Sequence, residues 1–188
     1  MRTMRPFFLA SIGVLLCAPV LHAQSGQLDI TFNTSGYNVT QGGFQDVYQD
    51  VAVQADGKIV AVGTKLDPGF LTSSLRIARY NTDGTYDNTF ASNGILDFML
   101  GTAHFGYAVE ILADGKILVA GGVNDEAGSL QWLLLRLNAD GSSDLSFGLG
   151  GTQLVDFING NEDLAYEMAV QPDGKILLAG VVVDDLQR

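Results

Sequence analysis

Three stretches of this chain superimpose almost residue for residue: DVAVQADGKIVAVG (50–63), AVEILADGKILVAG (108–121) and EMAVQPDGKILLAG (167–180). Their turn residues Asp56, Asp114 and Asp173 are 58 and 59 positions apart. A second block repeats in phase with the first, LRIARYNTDGTYDNTFASNG (75–94) matching WLLLRLNADGSSDLSFGLGG (132–151) at an offset of 57. An echo lies near the start, where Asp29-Ile30-Thr31-Phe32 with Gly36 matches Asp87-Asn88-Thr89-Phe90 with Gly94. A period near 58 restricts the chain to repeat architectures, in which a unit that cannot bury its own apolar surface buries it against its neighbours.

Each period holds short apolar runs rich in Val, Ile and Leu, separated by Asp-Gly turns. This is strand-and-hairpin patterning rather than helix. In the ADGK and NxDG turns the Gly takes positive φ at little cost and the Asp bonds its own local backbone, so the flanking strands reverse and pair. Four strands fit each period; in the second they are expected near 106–112, 116–121, 130–137 and 153–157. The runs Ile117–Ala120 and Ile176–Ala179 are apolar on both faces and are expected to lie between packed sheets. The fold class is therefore all-β: β-propeller-like repeats of four-stranded antiparallel units, with a β-sandwich of about 11 strands and a linear stack of the same units as rivals.

Residues 1–23 carry Arg2 and Arg5, then the uncharged stretch PFFLASIGVLLCAPVL (6–21) and Ala23 before Gln24. That pattern reads as a secretory signal peptide; a membrane anchor would need roughly 20 apolar residues, and Pro19 falls near the end of a shorter run. Lipoprotein processing at Cys17 is disfavoured by Leu16, where a small side chain is required. Removing residues 1–23 leaves 165 residues with a net charge of −13 and no Cys, so disulfides, a thiol nucleophile and Cys-based metal sites are excluded from the exported chain. A core of ordinary size must hold it together. The excess of 21 Asp and Glu over 10 Lys and Arg argues against nucleic acid and anionic membrane surfaces as partners.

The expected organisation is a signal peptide (1–23), the last strand of a preceding unit within 24–44, placed at Tyr37–Thr40, a first repeat (45–102), a second (103–161) and a partial third (162–188). That amounts to about 2.8 units, against four or more in a closed ring. An incomplete ring follows, from a truncated product or from a protomer that completes itself by association through open β-edges.

At DGKILVAG followed by RLNADGSSDLSFGLGG the sequence resembles the delta-60 repeat family of bacterial secreted and surface proteins, which are regarded as β-propeller-like. The resemblance spans residues 27–183 and rests on Asp114-Gly115-Lys116, Asn138-x-Asp140-Gly141 and Asp144-x-Ser146-Phe147, each recurring in more than one unit. It implies architecture and export, and it brings no catalytic set with it.

No catalytic, cofactor-binding or metal residue is assigned, and no cofactor is expected. Aligning Asn81, Asp83, Gly84 and Asp87 with a calcium loop puts Arg79 and Phe90 where oxygen ligands belong, and Arg136 and Phe147 fail in the same way. His104 is the only His after residue 23, and no G-x-S-x-G elbow accompanies it. One constellation remains: Asp46, His104 and Asp163 share a repeat position and would converge on one rim of a ring, where they could hold a divalent metal or a polar ligand. The alternative for them is a set of ordinary polar strand ends. Lys58, Lys116 and Lys175, with Arg79 and Arg136, are expected to pair with the local Asp across each hairpin, at about 0.2–1 kcal/mol apiece. Trp132, Phe90, Phe147, Phe98 and Phe157 are expected as core between units, with a sugar-stacking platform as the sharper alternative. The resulting expectation is an exported, non-enzymatic module for extracellular or cell-surface binding or scaffolding, with an unknown protein or glycan partner. An enzyme acting on extracellular polysaccharide and a calcium-stiffened structural protein are the alternatives.

Overall fold

The computed structural model describes residues 27–39, 45–68, 72–124, 128–157 and 163–182. Residues 1–23, read as a signal peptide, lie outside them. The chain folds as successive antiparallel sheets in which every strand pairs with its sequence neighbour. The first sheet contains β1 (Gln45–Val53), β2 (Ile59–Leu66), β3 (Ser73–Tyr80) and β4 (Ile95–Phe98), in that order. The second repeats it with β5 (Ala103–Ile111), β6 (Ile117–Asn124), β7 (Leu130–Leu137) and β8 (Thr152–Val155). A third contains β9 (Leu164–Val170) and β10 (Ile176–Val181). Among the described residues the fold is all-β, with propeller-like four-stranded repeats and no closed barrel. Among the described residues no helix is long and apolar enough to cross a membrane.

The turns form as their composition dictates. Gly57, Gly115 and Gly174 take φ of +83°, +82° and +83°, and in each case the preceding Asp accepts a hydrogen bond from the backbone N–H of the following Lys. A second glycine has a different cause. A bulge interrupts the first hairpin of every unit at the same place on its first strand, between Tyr48 and Asp50, between Gly106 and Ala108, and between Ala165 and Glu167. It brings the carbonyl oxygens of Val47, Phe105 and Leu164 to 1.9 Å from where a Cβ would stand on Gly63, Gly121 and Gly180 respectively. Any side chain there would force the bulge apart.

The sheets stack face to face. One core joins Val60, Val62, Leu75, Ile77 and Phe98 of the first unit to Val109, Ile117, Val119, Leu133 and Leu135 of the second. On the other face of the second sheet, Ala108, Leu118, Ala120, Trp132 and Leu134 pack against Ala165, Met168, Ile176 and Leu178. Ile117–Ala120 is therefore enclosed on both sides, as its composition predicts. Ile176–Ala179 is not: Leu177 stands 52% exposed because the described residues cover only one face of β9–β10. The strand expected at Tyr37–Thr40 is also corrected. Tyr37–Val39 carries no strand, and Thr40 lies outside the described residues. Residues 27–39 instead form a turn that docks on the first unit, with Asn33 N–H donating to the Asp83 carbonyl at 2.7 Å.

Candidate functional site

The polar residues that recur from unit to unit meet at one place in each. In the first two units the Asp of the D-x-Thr/Ser-Phe turn receives the Lys of the Asp-Gly-Lys turn and the Arg that precedes the NxDG turn. Asp87 Oδ2 accepts from Lys58 Nζ at 2.9 Å and from Arg79 Nε at 2.8 Å. Asp144 Oδ2 accepts from Lys116 Nζ at 2.9 Å and from Arg136 Nε at 2.7 Å. The other carboxylate oxygen closes the local turn: Asp87 Oδ1 accepts from the N–H and hydroxyl of Thr89 at 3.0 and 2.7 Å, and Asp144 Oδ1 does the same with Ser146 at 3.1 and 2.7 Å. Each guanidinium also lies over the Phe three residues after that Asp, at 4.7 Å for Arg79 on Phe90 and 4.4 Å for Arg136 on Phe147.

This geometry corrects the expected pairing. Lys58 and Lys116 lie 3.7 and 3.8 Å from the hairpin residues Asp56 and Asp114, and their close partner is the buried Asp of the later turn. Among the lysines, Lys175 keeps its hairpin partner, Asp173, and Arg79 and Arg136 pair across their own hairpins with Asp87 and Asp144, as expected. Burial pushes the Asp87 carboxyl up, but the bonds from Thr89 and Lys58 and the Arg79 charge overcome it and hold the group well below the usual carboxylate range. For Asp144 the bonds from Ser146 and Lys116 dominate, in the same direction.

The first cluster also crosses to the next unit. Arg79 Nη1 donates to the Ala139 carbonyl, and Ala91 N–H donates to the Asp140 carbonyl at 2.8 Å. The Asn81–Gly84 and Asn138–Gly141 turns are thus plugs seated on D-x-Thr-Phe sockets, 29–36 for the first plug and 87–94 for the second.

Asp46, His104 and Asp163 do not form a shared rim site; each is engaged within its own surroundings. Asp46 Oδ2 accepts from Arg76 Nη1 at 2.5 Å, and the same guanidinium donates to Asp97 at 2.7 and 2.8 Å. His104 is fully buried. Its Nδ1 faces the Ser73 carbonyl at 3.1 Å and therefore donates, while Nε2 accepts from Leu100 N–H. Asp163 Oδ2 accepts from Phe157 N–H at 3.2 Å. Among the described residues no group of three His, Cys, Asp or Glu could hold a metal ion. The carboxylates tested as calcium ligands, Asp83 and Asp140, accept from the N–H and hydroxyl of Thr85 and Ser142 instead.

The aromatic residues divide. Phe90 is fully buried, and Trp132 lies in the second interface with its Nε1–H donating to the Val181 carbonyl at 3.0 Å, so the indole is not an open platform. Phe157 meets it edge-on at 4.7 Å but stands 51% exposed, so it is not the buried core residue expected.

Sequence reasoning missed the Arg76 network. Its signal was nonetheless present, because Arg76, Asp97 and Lys65 occupy the repeat positions of Leu133, Leu154 and Val123. The Asp97 bond holds Arg76 above its ordinary range against the opposing effect of burial, helped by the charges of Asp97 and Asp46. Also missed was a cleft of about 620 Å³ lined by Leu100, Val123, Leu149 and Leu154.

Residues 54–90 and 112–147 match the model of a beta-propeller domain of unknown function, DUF5122. Both matched stretches run from the Asp-Gly-Lys turn to the D-x-Thr/Ser-Phe turn, so each contains one complete Lys–Arg–Asp cluster. The match supports a beta-propeller-like repeat family. No curated protein matches the chain.

Proposed function

We propose that this chain is an exported, non-enzymatic β-propeller-type module of the delta-60 kind, serving extracellular or cell-surface binding or scaffolding. The observation that carries the reading is the use made of the recurrent polar residues. Lys58, Arg79 and Asp87 and their counterparts Lys116, Arg136 and Asp144 join turn to strand within each unit, and Arg79 reaches across to the next. What the repeat copies is a structural joint. The paired arginine and basic-apolar leader at residues 1–23 supports export, and the acidic exported chain suits a protein or glycan partner better than nucleic acid.

Two measurements test this. Expression with residues 1–23 intact, followed by mass analysis of the extracytoplasmic fraction, should give a product beginning at Gln24; retention of an intact Met1 form in the cytoplasm would refute export. A glycan-hydrolysis screen should be silent. Turnover abolished in a folded Asp163→Ala variant would make the protein an enzyme instead.

A further inference from the structure

We propose that Tyr107 and Tyr166 are an oxidative modification site: a one-electron oxidant of the haem-peroxidase class, acting with hydrogen peroxide, joins the two rings into dityrosine and so staples the second unit to the third.

The bulge that the three units share brings the two side chains together. On β1 the register steps from Tyr48 to Asp50, on β5 from Gly106 to Ala108 and on β9 from Ala165 to Glu167. Gln49, Tyr107 and Tyr166 are therefore the extra residues, each left without a cross-strand partner of its own. β5 packs against β9, and the two bulged tyrosines meet there. Their rings stand 4.9 Å apart, centre to centre, with the planes at 76°. That is near the short end of the about 4.5–7 Å over which aromatic rings pair, and it sets an edge of one ring on the other. Burial, and after it the charge of Tyr166, push the Tyr107 hydroxyl up, so the two phenol oxygens are near enough to influence each other. The contact is complete between β5 and β9 and needs no further unit.

Coupling needs access as well as contact. Tyr166 is 43% exposed and Tyr107 is half-buried beside it, so the oxidant can reach the pair from the Tyr166 side. Each phenol gives up one electron and one proton to become a phenoxyl radical. The radicals combine at the ring carbons next to the oxygens, and the hydrogens on those carbons move to the oxygens as the rings regain aromaticity. One carbon–carbon bond forms, two protons and two electrons leave the protein, and one hydrogen peroxide is reduced to two waters. The other close tyrosine pair lacks this arrangement. Tyr80 and Tyr86 are 5.0 Å apart, but their planes lie at 25°, ring over ring, and Tyr80 is buried. Phe105, which lies 6.4 Å from Tyr107 on another side, has no hydroxyl to oxidise. Tyr107 and Tyr166 are 59 positions apart in a chain without Cys after residue 23. A crosslink over that length removes loop-closure entropy from the unfolded chain, as a disulfide would.

The test treats the purified full chain at low concentration with a haem peroxidase and hydrogen peroxide, then isolates the monomer by size exclusion to remove species joined between molecules. The monomer should be lighter by two hydrogens, emit dityrosine fluorescence and yield on digestion a joined peptide pair containing Tyr107 and Tyr166. It should also melt at a higher temperature than the untreated protein. Tyr107→Phe and Tyr166→Phe keep both rings in place, and each should lose the fluorescence and the mass change. Tyr80→Phe should keep both signals. A monomer of unchanged mass, a joined pair at other tyrosines, or fluorescence that survives Tyr166→Phe overturns the proposal. A joined monomer that melts no higher than the untreated protein overturns the staple.

Discussion

Replacing Asp87 by Ala removes the acceptor of four hydrogen bonds: two from Thr89, one from Lys58 and one from Arg79. The consequences for the donors differ. Lys58, with 30% of its side chain exposed, can turn to water, whereas Arg79, at 6%, is left enclosed over Phe90 with only the Ala139 carbonyl and the Thr89 hydroxyl. An uncompensated buried charge of this sort costs about 3–5 kcal/mol. For a chain of this size that lowers the thermal midpoint on the order of 6–20 °C. Asp144→Ala performs the same deletion where Arg136 and Lys116 are 23% and 29% exposed, so both can rehydrate and the midpoint should fall by less than half as much. Arg79→Met added to Asp87→Ala should restore part of the loss, because the stranded charge is gone. Thermal melts followed by circular dichroism, with urea titrations to confirm two-state behaviour, decide the matter. An Asp87→Ala midpoint within a few degrees of the parent, or an Asp144→Ala loss equal to it, would show that the first cluster is not a desolvated joint.

Acid provides a second test. Asp87 and Asp144 both titrate below their unfolded range, so their stabilisation is fully present above the ordinary carboxylate value of about 4 and is lost as pH falls further toward their folded values. Urea midpoints should therefore be flat down to about pH 5 and drop below pH 4; a drop centred near pH 6 would point to other groups. Leu118→Ala, at a fully enclosed position, should cost about 2–5 kcal/mol, while Leu177→Ala at the equivalent but open position should cost far less; equal losses would mean that β9–β10 is covered on both faces. Gly121→Ala should destabilise by about 1–3 kcal/mol, since its methyl would meet the Phe105 carbonyl, and a neutral effect would rule out the bulge geometry. Excess calcium should leave the melt unchanged; a rise would show that Asp83 or Asp140 can leave its turn for a metal.

The elements legible in the sequence are those fixed by local chemistry and by copying. The Asp-Gly-Lys turns identify their hairpins because positive φ at Gly and a bond back to Asp are local requirements. Repetition of the turns then sets the strand order. Ile117–Ala120 reads as doubly covered because no polar residue interrupts it. What escaped depends on contacts between distant positions. The partner of Lys58 is 29 residues away, and nothing in periodicity says which Asp the β3 turn brings back to it. Asp46, His104 and Asp163 share a repeat position, yet each faces a different surrounding: a guanidinium, a loop amide beside Ser73, and the amide of Phe157. Tyr37–Thr40 looked like a strand by phase, but the stretch around it is used as a docked turn, because Asn33 and Asn38 satisfy the carbonyls of the Asn81–Gly84 plug.

Native-state hydrogen exchange tests most directly whether the units hold one another up. Amides of β6, enclosed by sheets on both sides, should exchange only through global unfolding, whereas those of β10, covered on one side, should exchange through a lower-energy local opening and return to near-global protection when a further unit covers Leu177. Equal protection of β6 and β10 in the monomer would contradict stabilisation by neighbouring units.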